Sequence, residues 1–311
     1  MNTAYRQLTL GPDAPIRHFQ VWWDNSSLQL LRTCPRKYYY AIVLGLRPAR
    51  ANPHLTYGLL YHSALEYNDH LIAEGVRDLR LRARLVCRRV LEISWGWNSD
   101  HKLKNRPNLV RAVMAYVDHF RNDAAKTLIL KSGKPAVELS FRFEIDLHGP
   151  GGRYGLCGHL DRIAEFDGKN YILDRKTTAR SWVTNYIDSF KPSGQMQQYT
   201  AGGQIVFEPK IEGALIDAVY ISANLDDFGR FAVTYTKAQM EEWLDNTKYY
   251  IKTAEQYHSA EKWPMNIEAC HMYEGCVFRK VCGRDPAVRE HWIKADYTVD
   301  RWDPLVTREV E

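Results

Sequence analysis

An acidic residue and a lysine, two positions apart, follow an apolar run in the middle of the chain. Tyr171, Ile172 and Leu173 precede Asp174, and Lys176 comes after one further residue. Because side chains alternate along a strand, this spacing puts the carboxylate and the ammonium on one face. Carboxylates can hold divalent metals that assist phosphodiester hydrolysis, and a lysine can stabilise the developing charge. The pair therefore predicts a metal-dependent phosphodiester hydrolase.

The acid-x-Lys pattern recurs in this sequence, so its context decides which copy is meaningful. Other copies lie at 100–102, 167–169 and 208–210. The first is in a polar stretch, the second is an Asp-Gly turn signal, and the third contains a proline that would interrupt a central strand. Only Asp174 follows an apolar, β-prone run. An isolated pair of this kind is more often a surface salt bridge, so the prediction depends on further residues.

Several other side chains are candidates for the same site. Asp161, in a neighbouring strand-like run, could share a metal with Asp174. The remaining candidates are the strand residue Glu138, the helix residue His62, and Gln195 with Tyr199, which are four apart and share a helix face. Each has an ordinary alternative: a buried Asp bonded to backbone donors, a solvent-facing strand Glu, a packed helix His, and an amphipathic helix.

The composition is that of a folded protein with a sizeable core. The chain has 311 residues, of which 45% are hydrophobic and 25% charged, and its formal net charge is +5. This charge permits contact with nucleic acid without arguing for it. The N-terminus lacks a signal peptide pattern, and no apolar run reaches membrane-spanning length. We therefore expect a cytoplasmic protein without a membrane partner.

The periodicity of apolar residues predicts an α/β fold in which helices pack against a mixed sheet. We expect one domain over 1–311, with a loose lead-in over 1–25. Its parts would be a helical N-terminal part (26–134), a sheet core (135–236) and a C-terminal helix with a cysteine cluster (237–285). The predicted helices are 58–73, 76–97, 109–130, 195–206 and 237–258. The predicted strands are 136–147, 155–166, 170–177, 214–222 and 230–236.

Four of the six cysteines are candidates for a metal centre. Cys270, Cys276 and Cys282 are separated by five residues each, and Cys34 lies far upstream. In a cytoplasmic protein such cysteines are more often metal ligands or core thiols than disulfides. Four thiolates suit an iron-sulfur cluster or structural zinc. The alternative is four unrelated thiols, and we expect the other two cysteines, Cys87 and Cys157, to be buried.

In this order the candidate residues resemble the RecB-like branch of the PD-(D/E)xK nuclease superfamily. The resemblance covers most of the chain and implies a restriction-endonuclease-like α/β core that uses Mg²⁺ or Mn²⁺. Lys176 would be catalytic, and the backbone carbonyl of Arg175 would bind metal. The metal ligands implied are His62, Asp161, Asp174 and Arg175, and the further catalytic residues are Glu138, Gln195 and Tyr199.

The cysteine spacing resembles the iron-sulfur nucleases of that branch, namely AddB, CRISPR-associated RecB-like exonucleases and the exonuclease V type. In these proteins a 4Fe-4S cluster joins the two ends of the nuclease domain. Many relatives have a shorter first spacing than the one between Cys270 and Cys276, which keeps zinc, or ligation by His271, open. The basic residues near the cysteines would form a rim for phosphates: Arg32, Arg36, Lys37, Arg279, Lys280 and Arg284.

The resemblance implies a DNA nuclease, specifically an exonuclease that prefers single strands or ends. The alternatives are a nucleic-acid-binding protein that does not cut, a structural or redox iron-sulfur protein, a partner-activated nuclease subunit, and an RNA-directed nuclease. No P-loop motif is present, so any ATP-driven unwinding would come from a helicase or recombination partner.

Overall fold

A computed structural model describes residues 19–49, 52–178, 185–208, 210–223, 226–272 and 275–306. These residues form two compact units. The first unit comprises the described residues of 1–50, 143–157 and 241–306, and the second comprises those of 51–142 and 158–240. Each unit is thus assembled from separate parts of the chain, and the boundary falls within two long strands. The predicted parts at 26–134, 135–236 and 237–285 remain a prediction.

Helices and strands follow one another in groups along the described chain. The strands are β1 (Trp22–Trp23), β2 (Leu46–Pro48), β3 (Lys126–Thr127), β4 (Val137–Gly149), β5 (Gly152–Phe166), β6 (Lys169–Thr178), β7 (Ile211–Tyr220), β8 (Asp227–Val233) and β9 (Tyr297–Val299). The α-helices are α1 (Asn25–Thr33), α2 (Pro35–Tyr38), α3 (Pro53–Ala73), α4 (Leu79–Ile93), α5 (Arg106–His119), α6 (Asn185–Asp188), α7 (Gly194–Val206), α8 (Lys237–Ser259), α9 (Arg279–Cys282) and α10 (Arg289–Asp296). A π-helical turn, Tyr39–Val43, follows α2.

In the second unit, three helices surround an apolar core. Helix α3 starts where the side chain of Asn52 accepts a hydrogen bond from the backbone N–H of His54, with Pro53 in the first turn. Helices α3, α4 and α5 pack together through buried side chains. Among these are Tyr57, Leu65, Val86, Val90 and Val113.

The sheet of the second unit is mixed, as predicted. Strands β5 and β6 are antiparallel, β6 and β7 are parallel, and β7 and β8 are antiparallel. The hairpin between β5 and β6 turns at Asp167 and Gly168, both of which have positive φ. This is the conformation that a two-residue hairpin requires and that Asp-Gly favours. Strand β6 is therefore paired on both sides, which fixes the residues it carries.

Helix α7 packs closely on the same sheet because glycine residues permit it. A Cβ atom on Gly202 would lie 2.5 Å from the ring of Phe141, and one on Gly158 would lie 2.9 Å from the same ring. Neither distance is tolerated between carbon atoms. The Gly-x-x-Asp context of Asp161 thus has a packing reason, since β5 must accommodate an aromatic ring at Gly158.

The first unit contains the N-terminal segment and α8. Strand β1 pairs in parallel with β5 between Trp22 and Gly155, and the side chain of Trp23 is fully buried. The expectation of a loose lead-in through residue 25 is therefore wrong for residues 22–25, because Trp22 and Trp23 pair with β5 and Trp23 is fully buried. Residues 1–18 lie outside the described residues. Strands β2 and β9 form a small antiparallel pair. None of the helices in the described residues is both long and apolar enough to cross a membrane.

Several predicted boundaries were too wide. Helix α4 ends at Ile93 rather than at residue 97, and Gly96 just beyond it has positive φ. Helix α5 ends at His119 rather than near 130, because residues 126–127 pair with β5. Helix α8 ends within one residue of its prediction. Local turn and strand pairing therefore override the apolar periodicity that extended the predicted helices.

One lysine in the second unit is almost fully buried. Lys104 is 2% exposed, and its Nζ has no hydrogen-bond partner among the described residues, although it lies 4.3 Å from the centre of the Tyr57 ring. Burial lowers its pKa to about 8, despite the charge of Asp226. The unfolded chain therefore binds the proton more tightly, and stability rises with pH between about 8 and 10.4.

We expect Lys104→Met to raise the free energy of unfolding at pH 7 by about 1 kcal/mol or more. Methionine has a volume similar to that of lysine but carries no charge that burial must desolvate. The variant should also lose the rise in stability between about pH 8 and 10. Urea unfolding at both pH values tests this. Exposed Lys102→Met is the control and should change stability by less than about 0.5 kcal/mol. A destabilised Lys104→Met would contradict the prediction.

Candidate active site

Two carboxylates meet where β5 and β6 end their ladder. The last ladder pair is Arg162 with Leu173, and Asp161 and Asp174 are the next residues on their strands. The backbone N–H of Arg175 donates to Oδ2 of Asp161 at 2.8 Å. Asp174 is only 2% exposed. The structure therefore brings the two predicted acids together, from positions 13 residues apart in sequence.

Lys176 lies on the same face as Asp174, as the strand period predicts. Its Nζ is 2.5 Å from Oδ2 of Asp174, and its side chain is 25% exposed against 4% for the Asp. The contact is an ion pair between a buried carboxylate and a partly exposed ammonium. Carboxylates are also the ligands that hard divalent cations prefer. The partial exposure of Lys176 leaves its ammonium able to reach a substrate.

His62 reaches the same acids from helix α3. Its Nδ1 is 3.2 Å from both carboxylate oxygens of Asp161. Burial lowers the pKa of His62, but the charge of Asp161 and the hydrogen bond to it raise this pKa more, and it lies above its usual value. Because Nδ1 is bonded to Asp161, the histidine orients that carboxylate in this structure.

The two carboxylates have opposite electrostatic surroundings. Burial raises the pKa of Asp161, but His62 and Arg175 outweigh it, and the pKa lies below its usual range. Burial raises the pKa of Asp174, Lys176 lowers it and the charge of Asp161 raises it, so that this pKa lies above its usual value. Two acids that repel in a buried site favour a shared cation. The arrangement thus suits a divalent metal.

No three His, Cys, Asp or Glu side chains converge as a metal site within the described ranges. A closed protein cage of the kind that holds structural zinc is therefore not formed there. Magnesium needs less from the protein, since it keeps several waters and is bound by one or two carboxylates with substrate phosphates. Asp161 and Asp174, with the Arg175 carbonyl that the family pattern implies, fit that donor set.

The remaining predicted catalytic residues lie on β4 and α7. Glu138 is half-buried and has a φ of +48°, a left-handed conformation that is unusual for a strand residue. Its membership of the site remains a prediction. Gln195 donates through Nε2 to the hydroxyl of Tyr199 at 3.1 Å, so these residues do share a helix face. The ring of Tyr199 packs edge-on against Phe141 of β4.

A buried acid on the opposite face of the strands was not predicted. Asp69 is 1% exposed and forms ion pairs with Arg162, at 3.2 Å, and with Arg175. These arginines directly follow Asp161 and Asp174 in sequence. One carboxylate on α3 thus binds both strands at the positions next to the candidate catalytic acids. The available signal was spacing, because Asp69 is seven residues from His62 and shares its helix face.

The sequence did not predict two further residues near this site. Asp123 forms ion pairs with Arg162, at 3.2 Å, and with Arg230, which extends the buried network. Tyr186 of α6 lies near enough to Asp174 that burial, and then the charge of this acid, raise the tyrosine pKa to about 12. Nothing in the spacing of these residues links them to the acids. Only the folded chain brings them together.

Comparison with known proteins gives the family of this chain. A model of the PD-(D/E)XK nuclease superfamily matches residues 25–283. The chain belongs to the PD-(D/E)XK nuclease superfamily. In this PD-(D/E)XK nuclease the matched range contains every candidate catalytic residue and all four candidate cysteines. Comparison with curated proteins finds no match.

Two solved structures are similar to this PD-(D/E)XK nuclease. One is a protein from Eubacterium rectale described as a putative exonuclease; it is 12% identical, with a TM-score of 0.49, over 81% of this chain and 86% of that chain. The other is the protein SSO0001, which is 13% identical, with a TM-score of 0.32, over 74% of this chain and 76% of that chain.

The candidate cysteine cluster lies within the first unit. The segment at 263–266 docks on Cys34: the backbone N–H of Asn266 donates to the Cys34 sulfur at 3.4 Å, and Arg36 Nε donates to the Trp263 carbonyl at 2.6 Å. The backbone N–H of Cys276 donates to the Cys270 carbonyl at 3.0 Å. The early and late cysteines of this PD-(D/E)XK nuclease are therefore neighbours.

These thiols do not form a closed metal site in the described residues. Burial, with the charges of Cys276 and Cys34, raises the pKa of both Cys270 and Cys282, to about 11 for Cys282, where Arg36 acts in the opposite direction. Metal binding requires thiolates, so a metal would have to displace these protons. Cysteine sulfur is therefore a suitable donor for an iron-sulfur cluster or zinc, but the four thiols do not form a closed tetrad in the described residues.

Two smaller predictions about this region need correction. Arg36 is 8% exposed and bonded to a backbone carbonyl, so it belongs to the packing of the first unit rather than to a free basic rim. Cys157 is buried, as predicted, but Cys87 is only partly buried. Cys87 lies on a helix flank where the periodic pattern does not distinguish core from border.

Proposed function

We propose that this protein is a metal-dependent deoxyribonuclease that acts as an exonuclease on single-stranded DNA or DNA ends. The observation that carries the proposal is the convergence of Asp161, Asp174 and Lys176 where the ladder between β5 and β6 ends, with Nζ of the lysine 2.5 Å from the second acid. Membership of the nuclease superfamily supports hydrolysis of a phosphodiester. The preference for DNA, and for ends, comes from the RecB-like resemblance.

The protein groups have separate roles in this proposal. Asp161, Asp174, His62 and the Arg175 carbonyl would hold Mg²⁺ or Mn²⁺, which would supply an activated water and neutralise phosphoryl charge. Lys176 orients the attacking water and stabilises negative charge on the phosphoryl oxygens. Glu138 adds a carboxylate to the same pocket. The hydrogen-bonded pair of Gln195 and Tyr199 supports the lysine and a substrate phosphate.

End-labelled substrates test the class of reaction. Linear single-stranded DNA should be degraded with Mg²⁺ or Mn²⁺ and remain intact in EDTA, whereas circular single-stranded DNA should survive. Matched duplex DNA and RNA oligomers define the preferred polymer. Cleavage of the circle would overturn the exonuclease assignment, and cleavage of RNA alone would overturn the DNA assignment. A folded protein that binds DNA but never cuts would indicate a binding module or a subunit that needs a partner.

We further propose that Cys34, Cys270, Cys276 and Cys282 hold a 4Fe-4S cluster, with zinc as the second possibility. Support comes from the cysteine spacing and from the docking of residues 263–266 on Cys34. The role would be structural, because a metal joining both ends of so long a loop removes unfolded-state entropy. By analogy with a disulfide this is on the order of 4–5 kcal/mol. We also propose a cytoplasmic location, with a separate helicase or recombination factor as partner.

We expect Cys276→Ser to lose bound iron or zinc and to unfold at lower urea concentration, because three ligands hold the metal less tightly. Metal analysis of anaerobically purified protein, with urea unfolding, measures both effects. Cys87→Ser, on helix α4, is the control and should keep the metal. An unaltered metal content in Cys276→Ser would remove this residue from the ligand set. A wild-type protein without iron or zinc would remove the cluster itself.

A further inference from the structure

Helix α4 carries an unusual excess of positive charge. Its 15 residues include five arginines and one glutamate. Three of these arginines are exposed, and Arg77 is exposed just before the helix begins. We call this set the arginine stripe: Arg77, Arg80, Arg84 and Arg88. Arg80, Arg84 and Arg88 are four residues apart and share one face of α4, and Arg77 directly precedes the helix cap Asp78.

The opposite face of α4 is committed to the core. Val86 and Val90 are fully buried, and Arg82 is 6% exposed. The guanidinium of Arg89 lies over the ring of Tyr67, 5.9 Å from its centre. The apolar face of α4 is therefore already packed in the core, and the stripe is the solvent-facing side of this helix.

Few acidic groups neutralise the stripe. Asp78 caps the helix, since its Oδ1 accepts from the backbone N–H groups of Arg80 at 2.8 Å and Leu81 at 3.1 Å. Glu92 pairs with Arg88 at 2.7 Å, but the two side chains are 51% and 78% exposed, and such a pair is weak. The stripe keeps a net positive charge along its length.

Exposed apolar side chains accompany the stripe. Leu81 and Leu91 are each 41% exposed on α4, and Trp95, one turn beyond Leu91, is 83% exposed. The guanidinium of Arg106 lies 5.8 Å from the centre of the Trp95 ring and covers part of it. An indole this exposed can stack on a planar partner. Positive charge beside an exposed aromatic ring is the combination that binds single-stranded nucleic acid.

We propose that the arginine stripe and Trp95 form a second binding surface for single-stranded DNA, separate from the candidate active site. Arginine contacts phosphates in a bidentate manner, and the eight helical steps from Arg80 to Arg88 extend about 12 Å. A strand in helical geometry presents about three or four phosphates over that distance, at roughly 3.4 Å each. The stripe would hold the backbone, and Trp95 would stack on a base without regard to sequence.

The packing of α4 argues against a membrane as the occupant. An interfacial helix inserts a free apolar face between lipids, whereas the apolar face of α4 is occupied by Val86 and Val90 in the core. The proposal rests on the proposed function for the identity of the polymer, DNA. It does not depend on cleavage, because binding at the stripe uses none of the candidate catalytic residues.

The test compares two variants with the same loss of charge. The first replaces the stripe: Arg77→Gln, Arg80→Gln, Arg84→Gln and Arg88→Gln. The control replaces four exposed basic residues of the second unit that pair with acids: Arg121→Gln, Lys131→Gln, Lys191→Gln and Lys210→Gln. Fluorescence anisotropy of a labelled single strand of about 30 nucleotides, in EDTA and over a range of salt, measures affinity without cleavage.

We expect the stripe variant to bind the single strand at least about tenfold more weakly, with a salt slope smaller by about 2 to 3, since each lost phosphate contact removes roughly 0.7. The control should stay within about twofold of wild type. Trp95→Ala should weaken binding by about fivefold or more without altering the salt slope. Far-UV circular dichroism of each variant should match wild type, because all these side chains are exposed.

Equal affinity of the stripe variant and the control for single-stranded DNA would overturn the proposed binding surface, since the change in net charge alone would then explain any loss of affinity. Loss of binding to anionic phosphatidylserine vesicles with unchanged DNA binding would assign the stripe to a membrane. Cleavage of a very short oligonucleotide by the stripe variant should equal that of wild type. If wild type never cuts but the stripe variant loses binding, the proposed catalytic function fails while the surface stands.

Discussion

Replacing Lys176 with methionine is expected to lower the rate of DNA cleavage by about two to three orders of magnitude, with little change in fold. Methionine keeps most of the side-chain volume but removes the ammonium that lies 2.5 Å from Asp174. Removal of one preorganised charge that stabilises the transition state typically has an effect of this size. Single-turnover cleavage at saturating metal measures the loss directly.

Lys169→Met is the matched control for this experiment. Lys169 begins the same strand, β6, and is exposed at the hairpin end. We expect its cleavage rate to stay within about twofold of wild type, because an exposed charge far along the strand has little effect at the site. A Lys176→Met variant as active as this control would show that the lysine is only a salt-bridge partner of Asp174.

Replacing Asp69 with alanine is expected to reduce the free energy of unfolding by about 3–5 kcal/mol. The change would leave Arg162, which is 2% exposed, and Arg175, which is 1% exposed, without their shared carboxylate. Arg162 would retain its ion pair with Asp123, but β5 and β6 would lose the carboxylate that pairs with an arginine on each of them. Urea unfolding followed by circular dichroism and by tryptophan fluorescence measures the loss.

Asp118→Ala is the control for the buried acid. Asp118 is 72% exposed and pairs with Arg121 at 3.4 Å, and removal of such a pair should change stability by less than about 1 kcal/mol. Asp69→Asn should fall between the two, since the amide can still accept one hydrogen bond. An Asp69→Ala variant as stable as the control would show that the arginines find other partners or water.

The sequence predicts the strands of the second unit well because their signals are local. Alternation of apolar residues marks β4, and the Asp-Gly pair at 167 marks the hairpin into β6. The adjacency of Asp161 and Asp174 follows from this hairpin, since a tight turn fixes the register of both strands. The pairing of Asp174 with Lys176 follows from the strand period alone.

The features that sequence analysis missed depend on contacts between distant segments. Asp69 meets Arg162 and Arg175 from 93 and 106 positions away, and nothing local to α3 predicts such partners. Strand β1 is only two residues long, so it has no period to detect. The grouping of the four cysteines rests on residue type and spacing and remains a prediction. Whether they close around a metal depends on side-chain geometry that spacing does not determine.

The most direct test of the central claim compares wild type with Asp174→Asn in a metal titration of DNA cleavage. The amide keeps the shape of the buried side chain but removes the charge that would hold the metal. We predict cleavage by wild type with Mg²⁺ or Mn²⁺, none in EDTA, and none by Asp174→Asn at any metal concentration, with an unchanged unfolding midpoint or a higher one. Cleavage by the variant at the wild-type rate, or by wild type in EDTA, would contradict the account.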